Sequence, residues 1–125
     1  MEIKTGYFAQ SKKYTEAGYT VVGITRFPPK WFDGLNLIMF APTSALLKDY
    51  KNGDINWDTF SKQYLDYLNT LGSFTKDALF SLNSTYDKIV LCCFEKSDSP
   101  CHRHILAKYL NETFNFNIEE FIIGG

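Results

Sequence analysis

The feature that most constrains the fold is an apolar run at residues 88–94, which a short polar loop joins to a helix-like pattern. A nearly continuous apolar run of this length is typical of a strand that other elements cover on both faces. After the loop, Ser99 is a candidate N-cap and Pro100 suits the first helical position. Apolar residues then recur along residues 105–113 on one side of the predicted helix. A strand that leads into a helix in this way is a basic unit of α/β domains.

The rest of the chain repeats these two patterns. Residues 57–71 carry large apolar side chains at spacings of three and four, which predicts a helix, and Gly72 is suited to end it. Residues 11–18 are polar and form either a loop or a short helix. We expect further strands at residues 1–7, 19–25, 35–40 and 118–123, and further helices that begin near Thr43 and after Ser73. Asn56 is the predicted N-cap of the helix at 57–71, and Ser73 is the predicted cap of the helix that follows.

Strands that alternate with helices predict a small three-layer α/β/α domain with a mostly parallel central sheet. The 125 residues are enough for one domain with a substantial core. We therefore expect residues 1–125 to form a single α/β domain.

The composition excludes several classes of protein. Aromatic residues make up 17% of the chain, so a disordered chain is excluded. The formal net charge is −1, which provides no general attraction to nucleic acid or to an anionic membrane. A local basic patch that binds nucleic acid stays open, as does the oligomeric state. Since no apolar run is long enough to cross a bilayer and no signal segment is visible, we expect a cytoplasmic protein without membrane contact.

The three cysteines do not have the pattern of a disulfide framework. Their number is odd, and Cys92 and Cys93 are adjacent in the predicted strand, where successive side chains point to opposite faces. We therefore expect reduced thiols, with Cys92 and Cys93 serving mainly as core packing.

Several polar side chains follow the carboxyl ends of the predicted strands, which is where ligands bind in parallel α/β sheets. These segments are distant in sequence, yet the predicted fold brings their ends to one edge. The candidate ligand-binding residues are Thr5, Tyr7, Arg26, Lys96 and Arg103, and the candidate catalytic residues are Cys101, His102 and Glu95.

Cys101 has the strongest chemical argument among these residues. A thiol in the first turn of a helix and close to Arg103 is favoured as the thiolate, which is both a nucleophile and a metal ligand. The alternative is a small buried residue that fills a gap. His102 lies on the inward stripe of the helix, where it orients the thiol, binds a ligand or hydrogen-bonds a neighbouring loop.

Arg26 and Arg103 are candidate clamps for a phosphate or a carboxylate, because a guanidinium presents paired donors in one plane. The alternatives are plain surface charge and, for Arg103, an ion pair with Glu95. Glu95 in turn acts either as an acid or base or as the partner of a nearby cation.

No cofactor site is expected from the sequence. It contains no glycine-rich phosphate loop and no dinucleotide fingerprint. Cys93, Cys101 and His102 could supply three zinc ligands, but the closely spaced ligand pairs of zinc fingers are missing. We therefore expect neither a metal nor a cofactor.

Four segments together resemble an uncharacterised family, domain of unknown function 488. The resemblance covers most of the chain in the same order, and it implies a single α/β domain without a settled activity. Phe27 departs from the family pattern, which often has glycine there. The bulkier residue either narrows the site or only changes the packing around it. The matching segments are residues 4–8, residues 24–29, Phe40-Ala41-Pro42, and residues 91–96 followed by Cys101-His102-Arg103.

The leading hypothesis is a small enzyme or enzyme-like domain that acts on a nucleotide or another phosphorylated ligand. In it, Arg26 and Arg103 hold the anionic group, Cys101 is the nucleophile, and His102 and Glu95 carry protons. The second hypothesis is a module without turnover that sequesters such a ligand or docks on a partner protein. A third is a zinc-stabilised or redox-responsive fold. The sequence leaves open whether the protein is an enzyme.

Overall fold

A four-stranded parallel sheet forms the centre of the molecule in the computed structural model, which describes residues 1–95 and 100–123. Each neighbouring pair of strands is parallel, so the carboxyl ends lie along one edge of the sheet. The predicted fold class is therefore confirmed. The strands are β1 (Glu2–Tyr7), β2 (Thr20–Gly23), β3 (Lys88–Cys93) and β4 (Glu119–Glu120), in the spatial order β2-β3-β1-β4.

Helices connect the strands, as the alternating pattern predicts. Asn56 caps the longest of them by accepting a hydrogen bond from the backbone of Thr59 at 2.8 Å, and Gly72 ends it. Within the described residues, no helix is long and apolar enough to cross a membrane. The helices are α1 (Ser11–Glu16) between β1 and β2, α2 (Ser44–Lys51), α3 (Trp57–Leu71) and α4 (Ser73–Ser81) between β2 and β3, and α5 (His102–Phe114) between β3 and β4.

The side chains of β3 divide between two apolar clusters, one on each face of the sheet. Ile89 and Leu91 belong to the larger cluster, together with residues of α2 to α5. Val90 and Cys92 belong to the smaller cluster, together with Tyr14 of α1. The strand is thus buried on both faces, as its apolar run predicts, and α1 forms the thinner of the two outer layers.

The connections put the topological switch point of the sheet between β1 and β3. From β1 the chain passes over the face that α1 covers, whereas from β3 it passes over the opposite face through α5. The chain therefore leaves these two neighbouring strands over opposite faces of the sheet. Such a switch point is where open α/β sheets bind ligands.

Two predicted strands differ from the structure. Residues 35–40 form an isolated bridge from Asn36 to Gly23 and then a 3₁₀ turn at Ile38–Phe40. The side-chain amide of Asn36 donates to the Thr25 carbonyl at 2.8 Å. This backbone carbonyl would otherwise be available for pairing with a neighbouring strand. The terminal strand is reduced to Glu119–Glu120, since only these two residues pair with β1.

Two predicted helix starts also differ. The helix α5 has Cys101 as its N-cap and begins at His102, so Pro100 does not occupy the first helical position. Ser99 lies outside the described residues. For α4, Gly72 takes the cap position with a φ of 55°, and Ser73 is the first helical residue, without a capping hydrogen bond.

Candidate ligand-binding site

A pocket of about 190 Å³ lies at the carboxyl ends of β2 and β3. Arg26 and Glu95, which the sequence predicts as site residues, both line it, and so does His102. Lys51, the last residue of α2, adds a second cation that sequence reasoning missed. This strand-end pocket therefore combines two positive side chains with one carboxylate.

The two cations have free donors in the described part of the chain. Arg26 is half-buried, and its Nε donates to the carbonyl of Pro42 at 3.3 Å. Its terminal amino groups make no hydrogen bond to the described residues. Lys51 is exposed and likewise has no partner among them. Both can therefore donate to an anionic ligand without first losing a protein contact.

Aromatic rings form the rim of the strand-end pocket. Phe27 is 74% exposed and Phe94 is 50% exposed, although large apolar side chains usually lie inside. Phe94 packs on Phe8 with 5.4 Å between the ring centroids, and the exposed Trp31 contacts the same ring. The sequence does not distinguish these rings from the core aromatics.

Two of the three cysteines are joined. The structure links Cys93 at the end of β3 to Cys101 at the start of α5 by a disulfide, so the expectation of three free thiols is wrong for this pair. The sequence could not show this pairing, because Cys93 and Cys101 are eight positions apart and meet only through the placement of β3 and α5. Cys92 is free and buried on the opposite face, and its burial raises the pKa of its thiol.

His102 is buried between the strand-end pocket and the helix layer. Its Nε2 lies 2.6 Å from the carbonyl of Ile24, which can only accept, so Nε2 carries the proton. The other ring nitrogen, Nδ1, faces the Cys101 sulfur at 3.8 Å. Burial lowers the pKa of His102 to about 4, which leaves the imidazole neutral near pH 7. His102 is thus held in one tautomer with Nδ1 unprotonated.

Arg103 is fully buried and fixed by its neighbours. Its Nε and Nη2 each donate to a carboxylate oxygen of Glu120 at 3.1 Å. Its Nη1 donates to the carbonyl of Glu95 at 2.6 Å and to the Cys93 sulfur at 2.9 Å. The ion-pair partner is therefore Glu120 rather than the side chain of Glu95. Four of the five N–H groups of a guanidinium are used in this way, and the role of Arg103 as a ligand clamp stays a prediction.

Thr5 and Tyr7 belong to the surroundings of Arg103 rather than to the pocket lining. The Thr5 hydroxyl donates to Glu120 at 2.7 Å, and the Tyr7 ring centroid lies 5.7 Å from the guanidinium carbon. Lys96, the remaining predicted ligand-binding residue, lies outside the described residues. The predicted site is thus divided between an open pocket around Arg26 and a closed ion-pair cluster around Arg103.

A larger groove of about 530 Å³ lies between α3 and α5. It contains Lys62 and Lys108 but also Glu112, and none of the predicted site residues lines it. It is remote from the strand ends, where the fold concentrates its reactive groups. We therefore take the strand-end pocket as the candidate site.

The comparisons with known proteins identify a family. Residues 9–114 match the family model DUF488-N3a, which is described as the active DUF488-N3 subclade. No curated protein and no solved structure gives a match.

Proposed function

Because the chain belongs to the DUF488-N3a family, whose description calls the subclade active, we propose that it binds and acts on a nucleotide or other phosphorylated ligand in the strand-end pocket. The observation that carries the proposal is the pairing of Arg26 and Lys51 with exposed aromatic rings at the carboxyl ends of β2 and β3.

The cationic side of the pocket suits a phosphate group. The free terminal amino groups of Arg26 form a planar fork that matches two phosphate oxygens. The Lys51 ammonium adds a compact positive charge from α2. Hydrogen bonds in which both partners are charged are about twice as strong as neutral ones, so this side supplies most of the affinity.

The aromatic rim suits a base. Phe27 and Phe94 are exposed beside the cations, and stacking of a base on an aromatic side chain contributes roughly 1–3 kcal/mol. The pocket volume of about 190 Å³ is smaller than the roughly 300–1,000 Å³ of typical ligand sites. We therefore expect the phosphate inside the pocket and the base on its rim.

The chemical step is proposed for the reduced protein in the cytoplasm, where disulfides are usually kept as thiols. Glu95 lines the pocket as an exposed acid or base. In the reduced form, the Nδ1 atom of His102 is placed to accept a hydrogen bond from the Cys101 thiol, since 3.8 Å separates the two atoms. Its lowered pKa makes it a weak base, so the proton moves to it only as the thiol reacts. In this step the Cys101 thiolate attacks the phosphorylated ligand and the bond to the leaving group breaks. His102 takes up the thiol proton, and Glu95 donates a proton to the leaving group.

A second candidate function is binding without turnover. Two features favour binding without turnover. Cys93 and Cys101 are joined in a disulfide, and the Nε2–H group of His102 is hydrogen-bonded to the Ile24 carbonyl, so neither group is free in this state. Replacing Cys101 with serine separates the two functions. Turnover through a thiolate is expected to be abolished, whereas a sequestering module is expected to keep its affinity.

The test of binding is a calorimetric titration of the reduced protein with nucleoside mono-, di- and triphosphates and with inorganic phosphate. Arg26→Gln is expected to weaken binding by about 10- to 100-fold, which corresponds to the 1.5–3 kcal/mol of a hydrogen bond to a charged group. Lys62→Gln is the matched control, since it removes a cation from the groove between α3 and α5. Equal affinities for Arg26→Gln and the wild type would refute the proposal.

A further inference from the structure

We propose that Cys93, Cys101 and His102 bind a soft divalent cation, zinc in particular, when the two sulfurs are reduced. The ligand atoms of the three side chains all lie within 4.8 Å of one another. The side chains are 1%, 2% and 8% exposed, so water competes weakly for a bound ion. The site uses neither Arg26 nor Lys51, so it is independent of phosphate binding. It does use Cys101 and His102, so bound zinc and the proposed nucleophilic step exclude each other.

The backbone holds the two sulfur ligands at a suitable distance. Cys93 ends β3 and Cys101 caps α5, so both belong to regular elements. Their Cα atoms are 7.4 Å apart, wider than the roughly 4.4–6.8 Å that is usual for directly bonded cysteines. Two thiolates on one tetrahedral zinc have sulfurs about 3.8 Å apart, given zinc–sulfur bonds of about 2.3 Å. The wider backbone spacing leaves room for such an ion.

His102 is oriented as a metal ligand. Its Nε2–H group donates to the Ile24 carbonyl at 2.6 Å, which leaves the Nδ1 lone pair directed towards Cys101. In metal sites the second ring nitrogen of a ligating histidine commonly donates to a carbonyl or a carboxylate, and this fixes the ring. The hydrogen bond that fixes the ring of a ligating histidine is therefore present.

The local charge also fits a divalent ion. Two thiolates neutralise Zn²⁺, and Glu120 neutralises Arg103 beside them. The Arg103 Nη1 group donates to the Cys93 sulfur at 2.9 Å, which stabilises a thiolate there. A buried ion survives only when its charge is compensated, and this cluster compensates it.

The coordination sphere has room for a fourth ligand. Cys93 and His102 line the strand-end pocket, and Cys101 and His102 line an adjoining pocket of about 130 Å³. Three protein ligands with a solvent-accessible fourth position are typical of catalytic rather than structural zinc sites. The sequence does not predict this site, because its ligands lack the closely spaced pairs of zinc fingers and come together only in the fold.

The disulfide and the zinc site are alternative states of the same sulfurs. A dithiol reductant breaks the Cys93–Cys101 bond, delivers two protons and two electrons to the sulfurs, and itself becomes a disulfide. Zinc then displaces the two thiol protons into solution and binds the thiolates.

The test is the zinc content of protein that is purified without chelator and reduced by a phosphine. In the reduction the phosphine is converted to its oxide, and the two sulfurs of the disulfide take up two protons. We expect about one zinc per chain in the wild type, and at least a tenfold loss of affinity in Cys93→Ser, Cys101→Ser and His102→Gln. Cys92→Ser is the matched control, because it removes the neighbouring thiol on the other face. It is expected to keep its zinc.

A second measurement does not depend on the variants. The reduced wild type is titrated with Co²⁺, and a sulfur-to-cobalt charge-transfer band with strong visible absorption is the expected signature of tetrahedral thiolate ligation. Weak absorption typical of cobalt with oxygen ligands would refute the proposal. In the zinc analysis, an equal loss of zinc in Cys92→Ser and in Cys101→Ser would also refute it. Loss of nucleotide binding in Arg26→Gln leaves both readouts unchanged, so the two proposals fail separately.

Discussion

Arg103 and Glu120 form a bidentate ion pair at the carboxyl end of the sheet, with both nitrogen–oxygen distances at 3.1 Å. The pair joins the first turn of α5 to the edge strand β4. Because Arg103 is fully buried, its charge depends on this one carboxylate for compensation. The ion pair thus fixes the helix that carries His102.

Removing the carboxylate is expected to destabilise the protein strongly. Glu120→Gln leaves a buried guanidinium without a counter-charge, so the free energy of unfolding should fall by about 3 kcal/mol. Glu119→Gln is the matched control, since it removes an exposed bridge to Lys4 and should change the free energy by less than about 0.5 kcal/mol. Urea denaturation measures both, and similar values for the two variants would contradict the assigned role.

The buried hydroxyl of Tyr14 makes stability depend on alkaline pH. Burial raises its pKa to about 12, against 10 in the unfolded chain. Below pH 10 both states keep the proton, and between pH 10 and 12 only the unfolded state loses it. Stability is therefore fully present below pH 10 and falls by about 2–3 kcal/mol as the pH rises to 12.

Tyr14→Phe is expected to remove the part of the loss of stability between pH 10 and 12 that comes from the Tyr14 hydroxyl. At pH 8 it should cost about 1 kcal/mol, because the hydroxyl accepts a hydrogen bond from the Tyr7 backbone. Denaturation curves from pH 8 to 12 test the prediction. The control Tyr50→Phe removes a hydroxyl without a partner among the described residues and should follow the wild type. Identical pH profiles for Tyr14→Phe and the wild type would argue against it.

The two predicted helix caps should respond differently to substitution. Asn56→Ala removes a 2.8 Å hydrogen bond to the first turn of α3 and should cost about 1 kcal/mol. Ser73→Ala should leave stability nearly unchanged, because Gly72 occupies the cap of α4. Thermal or urea denaturation of the two variants measures the difference. An equal cost at both positions would place a cap at Ser73 after all.

The rim aromatic Phe27 is expected to distinguish a base from a bare phosphate. Phe27→Ala should weaken nucleotide binding by roughly 5- to 100-fold, which corresponds to the 1–3 kcal/mol of stacking. It should leave the affinity for inorganic phosphate unchanged, because Arg26 and Lys51 remain. Titration calorimetry with both ligands gives the comparison. A similar loss for both would mean that Phe27 shapes the pocket rather than stacks a base.

Much of the fold follows from local patterns in the sequence. The apolar run in β3 and the spacing of large side chains in α3 predict both elements, because each pattern matches the period of its backbone. The segment at 35–40 is predicted less well. Its apolar residues suit a strand, but the Asn36 amide binds the backbone of Thr25 and stops regular pairing.

The candidate site was predicted only in part, because its residues meet through tertiary structure. The sequence predicts that Arg26, Glu95 and His102 approach one another, since all three follow strand ends. It does not predict the pairing of Arg103 with Glu120, which depends on β4 lying beside β1. It also misses Lys51, whose position follows from the packing of α2.

The most direct test of the account is to map nucleotide binding by NMR on the reduced, isotope-labelled protein. The account predicts that backbone amide shifts on titration with a nucleotide concentrate at residues 25–27, Lys51 and residues 93–95. In Arg26→Gln the same shifts should need about 10- to 100-fold more nucleotide. Shifts confined to the groove between α3 and α5, around Lys62 and Lys108, would contradict the strand-end pocket as the site. The absence of any shift with every nucleotide and with inorganic phosphate would contradict the proposed function.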